Sequence, residues 1–195
     1  MDVVVGVPIK PFTAAKKRLA AVLGAEDRVE LARYLAAHTL EVVNAAGLEV
    51  VVLSANREVG RFANDLGHSV QMTPRLDLNE AATRFRIEIP PHRPWLLVHA
   101  DLPFLSSEAL ALALAGLASH DAVITPSPDG GTPVMGANDD GLRFAYGPSS
   151  FHRHLRQLPA ARVIVDYRLS CDIDRPRDLE VARSRIDHLS TLLGS

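Results

Sequence analysis

Short apolar runs recur along this chain with amphipathic stretches between them, and that alternation limits the possible folds more than any other feature. Val3-Val4-Val5-Gly6-Val7, Val50-Val51-Val52-Leu53, Ser69-Val70-Gln71-Met72, Trp95-Leu96-Leu97-Val98 and Ala122-Val123-Ile124-Thr125 read as strands. A long helix is expected from about Glu26 to Ala46, with Leu31, Leu35, Thr39, Val42 and Val43 on one face and Gly47 as its stop. A second runs from about Glu58 to Leu66 and ends at Gly67. A third is capped by Asn79 and runs through about Glu88. A fourth opens at Ser106 or Ser107, with Glu108 in its first turn. Strands alternating with helices make a parallel, doubly wound sheet, because the crossovers cover both faces.

Past residue 125 the rhythm breaks. Asp129-Gly130-Gly131-Thr132 reads as a tight turn. Thr132–Ala137 and Leu142–Phe144 read as a strand pair around an Asn138-Asp139-Asp140-Gly141 turn. A helix from about Ser150 to Gln157, a strand over Arg162–Val165 and a last helix opened by Pro176 complete the chain. The expectation is one α/β domain over residues 1–195, with a mixed, mostly parallel sheet. The length suffices for a full core, and 47% hydrophobic with 23% charged residues is ordinary for a soluble protein. A net charge of −2 gives no reason to expect nucleic acid or a membrane as partner. No charged leader precedes an apolar segment, and no run reaches the roughly 18 apolar residues of a membrane span, so a cytoplasmic location is expected. One cysteine excludes an internal disulfide and a cysteine-based zinc site. Apolar helix faces suit a monomer or a homodimer equally.

The chemistry concentrates at three places. Asp101, in Val98-His99-Ala100-Asp101-Leu102-Pro103, stands where a buried strand must end, because Pro103 cannot extend a ladder. A carboxylate there faces the crevice at the carboxyl ends of the strands. Asp172 and Asp174, in Cys171-Asp172-Ile173-Asp174-Arg175-Pro176, aim to one side if the backbone is extended. Three acids able to meet at one crevice suggest Mg²⁺ and phosphate chemistry. The loop after the first strand carries Lys10, Lys16, Lys17 and Arg18, cations that can reach a triphosphate, although no Walker loop is present. Gly130-Gly131-Thr132 and Gly147-Pro148-Ser149-Ser150 are small-residue turns. The second opens a helix bearing Arg153 and His154, a combination suited to a phosphate or carboxylate. Each feature has a plainer reading: a solvated basic turn, a strand-ending Asp, an acidic first turn, ordinary caps. His99 reads as a satisfied structural histidine. His152 and His154 read as facing solvent or an anion, and Cys171 as a small core residue.

Taken together and in order, Pro8-Ile9-Lys10-Pro11 with Ala15-Lys16-Lys17-Arg18-Leu19, His99-Ala100-Asp101-Leu102-Pro103, Asp129-Gly130-Gly131-Thr132, Tyr146-Gly147-Pro148-Ser149-Ser150-Phe151-His152-Arg153-His154 and Asp172-Ile173-Asp174-Arg175-Pro176-Arg177-Asp178-Leu179 resemble the CofC/FbiD guanylyltransferases of coenzyme F420 biosynthesis. The resemblance implies a three-layer αβα, Rossmann-like (GT-A-like) nucleotidyltransferase fold. It also implies transfer of GMP from GTP to 2-phospho-L-lactate, phosphoenolpyruvate or 3-phosphoglycerate. It places Asp101, Asp172 and Asp174 on Mg²⁺, and Lys16 and Arg18, with Lys10 in reach, on the nucleotide phosphates. Thr132, Gly147 and Ser150 then hold the acceptor acid, and Asn79 lies against the nucleoside. This chain departs from the family pattern at Pro133, where an Asn is usual, at Asp77, where a Gly is usual, and in the paired Lys17-Arg18. The rival readings are another nucleotidyltransferase of the same fold, of molybdopterin or sugar-phosphate type, and a non-catalytic nucleotide-binding module.

Overall fold

In a computed structural model describing residues 2–74, 76–138 and 141–193, the apolar runs assemble into one seven-stranded sheet. Its strands are β1 (Val4–Pro8), β2 (Glu49–Ser54), β3 (Ser69–Met72), β4 (Trp95–Val98), β5 (Ala122–Ile124), β6 (Val134–Ala137) and β7 (Arg162–Val163). They lie side by side in the order β3-β2-β1-β4-β6-β5-β7. All neighbours are parallel except β6, which runs antiparallel to both β4 and β5. The result is a mixed α/β fold with a mostly parallel sheet, as the alternation requires.

Helices cover both faces. Alternate residues of β1 show the division: Val5 and Val7 face a core built with α1 (Ala25–Ala45), α2 (Arg57–Asp65) and α4 (Ser107–Ser119). Val4 faces the opposite core, with Phe85 and Ala82 of α3 (Leu78–Glu88). On that second face Gly6 admits close packing, since a Cβ would stand 2.6 Å from Leu97 Cδ2 and 2.9 Å from the Phe85 ring. A third apolar cluster joins Leu31 and Leu35 of α1 to Ile173 and to Leu179 of α7 (Pro176–Arg183), beside α8 (Asp187–Leu192). That cluster buries Ile173, whose amide donates to the Asp101 carbonyl, and Asp174 next to it lines the crevice. No helix among the described residues is long and apolar enough to cross a membrane.

Local chemistry explains the helix boundaries. Gly47, at φ +69°, stops α1; Asn56 caps α2 through the Glu58 and Val59 amides; Ser106 caps α4 through the Ala109 amide. One cap differs from expectation. Asp77, not Asn79, caps α3, accepting from the Glu80 amide while Glu80 accepts from the Asp77 amide.

The break after residue 125 also differs from a simple hairpin. β6 inserts between β4 and β5 rather than pairing with Leu142–Phe144, which form no strand. Gly136 makes this possible, because a Cβ there would lie 2.4 Å from the Trp95 carbonyl oxygen. Phe144 instead packs edge-on against Trp95, with centroids 5.4 Å apart, and stacks on Tyr146. The predicted turn at Asn138–Gly141 falls partly outside the described residues. The expected 162–165 strand shrinks to two residues, with Val165 82% exposed beyond its end. The helix expected over 150–157 is α5 (Ser150–Leu155), and a short α6 (Tyr167–Ser170), absent from the sequence reading, precedes Cys171.

Candidate active site

The carboxyl ends of β1, β2 and β4 open into a cavity of about 630 Å³. Lys10, Lys16, Lys17 and Arg18 line one side, with Asp101 and Asp174 across from them. Ser54, Thr73, Leu76, Asp77 and Leu78 line it as well. The cationic loop is held by apolar pins rather than by regular structure. Two 3-10 turns, Phe12–Ala14 and Lys17–Leu19, bury Phe12 against Phe62 and Leu19 in the third cluster. Between the pins Lys16 sits in the left-handed region, φ 53° and ψ 30°. A non-glycine residue tolerates that strain only where its surroundings dictate it. Its ammonium is almost buried and donates to Asp101 Oδ2 at 3.0 Å. Arg18 pairs with Asp174 at the cavity mouth.

Asp101 is the centre of this electrostatic arrangement. Burial by itself would raise its pKa, but the positive charges of Lys16, His99 and Lys10 outweigh it and hold the carboxyl below its usual range. Its second oxygen, Oδ1, is buried without a hydrogen-bond partner. Asp172 is pushed up to about 6, by burial first and then by the nearby charge of Asp101. The Ile173 amide donates to the Asp101 carbonyl at 3.4 Å, which holds the two acidic segments together. Asp174 is free of helix capping, since Asp178 accepts from the Asp174 and Arg175 amides. Among the described residues no three His, Cys, Asp or Glu side chains stand in metal-ligating geometry as the chain lies. A divalent cation nonetheless fits the Asp101–Asp172 pair: an orphaned buried carboxylate oxygen beside a second, repelled carboxylate is the donor chemistry a hard cation requires. Asp174 is turned to Arg18 instead.

The expected acceptor residues gather elsewhere. Thr132 and Ser150 are each 2% exposed, and their hydroxyl oxygens lie 3.1 Å apart. Gly147 borders them at φ +118°, a conformation that favours glycine, and Arg153 Nη2 would lie 3.2 Å from a Cβ there. Arg153 Nε and Nη2 are buried without partners. This cluster does not line the large cavity; an aromatic bridge links the two, His99 to Tyr146 at 5.3 Å and Tyr146 to His154 at 5.0 Å between centroids. Asn79 is placed by the same bridge. Its amide side chain donates to the Tyr146 carbonyl and accepts from the Tyr146 amide, and it does not line the cavity.

Two histidines read as structural or solvent-facing take different places, and Tyr146, which the sequence does not single out, joins them. His99 lines the cavity, and its buried Nε2 has no partner, so it is not the satisfied histidine expected. Burial and the Lys10 and Lys16 charges lower its pKa, against the opposing pull of Asp101. His154 does not face solvent: it is fully buried beneath Thr132. Tyr146 is buried and its hydroxyl has no partner. Nothing in the sequence spacing distinguishes these three from core residues, because their roles come from contacts between segments distant in the chain.

The chain is similar to known proteins along most of its length. A family model described as "Guanylyl transferase CofC like" matches residues 1–182. A phosphoenolpyruvate guanylyltransferase of Roseiflexus castenholzii is 30% identical over 185 residues, covering 92% of this chain and 87% of the relative. A 2-phospho-L-lactate guanylyltransferase of Halomicrobium mukohataei is 32% identical over 177 residues, covering 88% and 82%. A 3-phospho-D-glycerate guanylyltransferase of Phenylobacterium zucineum is 32% identical over 185 residues, covering 87% and 84%. Among solved structures, a Desulfovibrio desulfuricans protein described as a nucleotide-diphospho-sugar transferase superposes with a TM-score of 0.75 at 20% identity, covering 97% of this chain and 90% of its own. The 4-diphosphocytidyl-2C-methyl-D-erythritol synthase of Anaerococcus prevotii superposes at 0.61 and 12% identity, covering 95% and 98%. The fold is therefore that of nucleotidyltransferases, and the chain belongs to the CofC-like guanylyl transferase family.

Proposed function

We propose that this chain moves GMP from GTP onto the phosphate of a small phosphorylated carboxylic acid, with release of pyrophosphate, as a step in coenzyme F420 biosynthesis. The observation that carries this reading is the cavity in which a pinned cationic loop faces Asp101 and Asp174, in a chain of this family. The acids in the relatives' names share a phosphate and a carboxylate. Two anionic groups match two sites: the cavity for the phosphates and the Thr132–Gly147–Ser150 cluster for the carboxylate.

In the reaction an oxygen of the acceptor phosphate attacks the α-phosphorus of GTP in line. A new phosphorus–oxygen bond forms, and the bond from that phosphorus to the pyrophosphate oxygen breaks. The nucleophile is already an anion, so no general base is needed, and catalysis is positioning and charge neutralisation. Lys16 and Arg18, with Lys10, stabilise the charge on the departing pyrophosphate. Mg²⁺ fits Asp101 and Asp172, with Asp174 as a third ligand once Arg18 turns toward the triphosphate; when bound it supplies neutralisation of phosphate charge. Asp77 also lines the cavity, which leaves room for the nucleoside.

The test is pyrophosphate release by the pure protein with Mg²⁺ and GTP, adding phosphoenolpyruvate, 2-phospho-L-lactate and 3-phospho-D-glycerate one at a time. Release that depends on one acid supports the reading and identifies the acceptor. GTP binding without release on any of the three overturns it.

A further inference from the structure

The hydroxyl pair of the acceptor cluster keeps one hydrogen free, and a buried histidine is the reason. Three contacts define the chain of hydrogen bonds. The Ala145 amide lies 2.8 Å from His154 Nε2; His154 Nδ1 lies 3.1 Å from Thr132 Oγ1; Thr132 Oγ1 lies 3.1 Å from Ser150 Oγ. A backbone amide can only donate, so Nε2 must accept and carries no proton. A neutral imidazole then holds its one proton on Nδ1, and Nδ1 donates to Thr132. Neutrality is enforced by the surroundings: burial first, then the charges of Arg153 and His99, pull His154 down to about 4.

The consequence passes along the chain. Thr132 Oγ1 is occupied as an acceptor, so its own hydrogen points to Ser150 or to a ligand. If Thr132 donates to Ser150, the Ser150 hydrogen is left to donate outward; if Ser150 donates to Thr132, the Thr132 hydrogen is. Without a proton on Nδ1 the imidazole would instead take the Thr132 hydrogen, and the hydroxyl pair would have no hydrogen free for an incoming anion once Ser150 donates to Thr132. Beside the same turn, Arg153 has Nε and Nη2 buried and unpartnered. A site with a free hydroxyl donor and an unpaired guanidinium is built for an anion.

We propose that His154 is a positioning residue for the acceptor acid: by donating to Thr132 it keeps one hydroxyl hydrogen of the Thr132–Ser150 pair free to donate toward the acceptor's carboxylate. This rests on the reading above that Thr132, Gly147 and Ser150 hold the acceptor. His154 touches no reacting atom in this scheme, and its effect belongs to acceptor affinity.

Two measurements test it. Long-range proton–nitrogen NMR on the nitrogen-15-labelled protein between pH 6.5 and 8 reads the His154 tautomer directly. A neutral ring with the proton on Nδ1 is expected; an Nε2–H tautomer or an imidazolium overturns the proposal. Steady-state kinetics then compares His154→Leu, which cannot donate, with His154→Asn, whose amide nitrogen stands near the place of Nδ1. His154→Leu should raise the acceptor KM about tenfold or more, a loss on the scale of one or two hydrogen bonds, with the GTP KM unchanged. His154→Asn should return the acceptor KM most of the way. Equal damage to both substrates' KM by both variants would mean a merely structural role and sinks the proposal. If His154→Leu does not fold, the tautomer and the His154→Asn acceptor KM decide. If no acid accepts GMP at all, the proposed function falls and the tautomer alone decides the relay.

Discussion

Lys16 and Asp101 show how much chemistry two residues concentrate. A strained lysine, pinned on both sides by buried Phe12 and Leu19, holds its ammonium on one oxygen of Asp101 and leaves the other oxygen unpartnered. Asp101→Asn keeps the shape and removes the charge. Turnover should fall roughly a thousandfold or more, the several kcal/mol expected for losing a cation ligand at the reacting phosphates. Near-normal initial rates for the Asn variant would remove Asp101 from the reaction. Asp172 makes a contrasting prediction. Its ionised form is disfavoured by burial and by Asp101, so a neutral Asn should stabilise the protein without metal while lowering activity. The gain should be ~1 to 2 kcal/mol, a Tm rise of about 4 °C. A folded-state pKa of about 6, above the ordinary 3.8, means the cost exists only once Asp172 ionises. The Tm gain should therefore be complete above pH 6 and vanish below about pH 4. A variant no more stable than the wild type at pH 7.5 would contradict the repulsion.

At the scale of elements, the antiparallel insertion of β6 decides where the acceptor cluster sits. β6 starts just after Thr132 and Pro133, and the His99 amide donates to the Pro133 carbonyl at 2.9 Å. Pro133 therefore keeps the ladder contact that matters here, although it lacks an amide of its own. The insertion depends on Gly136, whose missing Cβ leaves room for the Trp95 carbonyl. Gly136→Ala should cost about 3 kcal/mol or more, because the obstructing atom is backbone and cannot rotate away. Thermal unfolding checks it: a Tm drop under about 4 °C would mean that β4 and β6 separate easily. Val134–Ala137 was legible as a strand from its apolar run, whereas its partner was not. Leu142–Phe144 has strand composition, yet Trp95 offers Phe144 a larger apolar contact than a hairpin would, and the aromatic pairing prevails.

For the molecule as a whole, the buried titratable groups oppose each other with pH. His154, ordinarily near 6.5, is held at about 4 in the fold, so it contributes stability above pH 6.5 that is lost as the pH falls toward 4. The loss should reach about 3 kcal/mol by about pH 4, because between pH 6.5 and 4 the unfolded chain alone takes up the proton. Asp172 works in the opposite sense over nearly the same window. Asp172→Asn should therefore unmask a steeper acid loss of Tm between pH 6 and 4 than the wild type shows. Parallel Tm curves for the two proteins would remove the Asp172 contribution, and an Asp172→Asn curve that stays flat between pH 6 and 4 would remove that of His154.

The chain by itself determined the strand–helix alternation, and with it the parallel sheet and the crevice at its carboxyl ends, because apolar periodicity is a local property. It also made Asp101, Lys16, Arg18 and Asp174 legible as one constellation, since loops after strands converge on that crevice whatever their length. Only the tertiary structure decided which charges meet. The αL turn at Lys16 sends that ammonium to Asp101, and Asp178 takes over the capping that would have occupied Asp174. Asn79 caps nothing and clamps Tyr146, and His154 turns inward under Thr132 instead of outward to water. These outcomes depend on contacts across dozens of residues, where packing and hydrogen-bond satisfaction choose among side-chain directions that local sequence leaves equivalent.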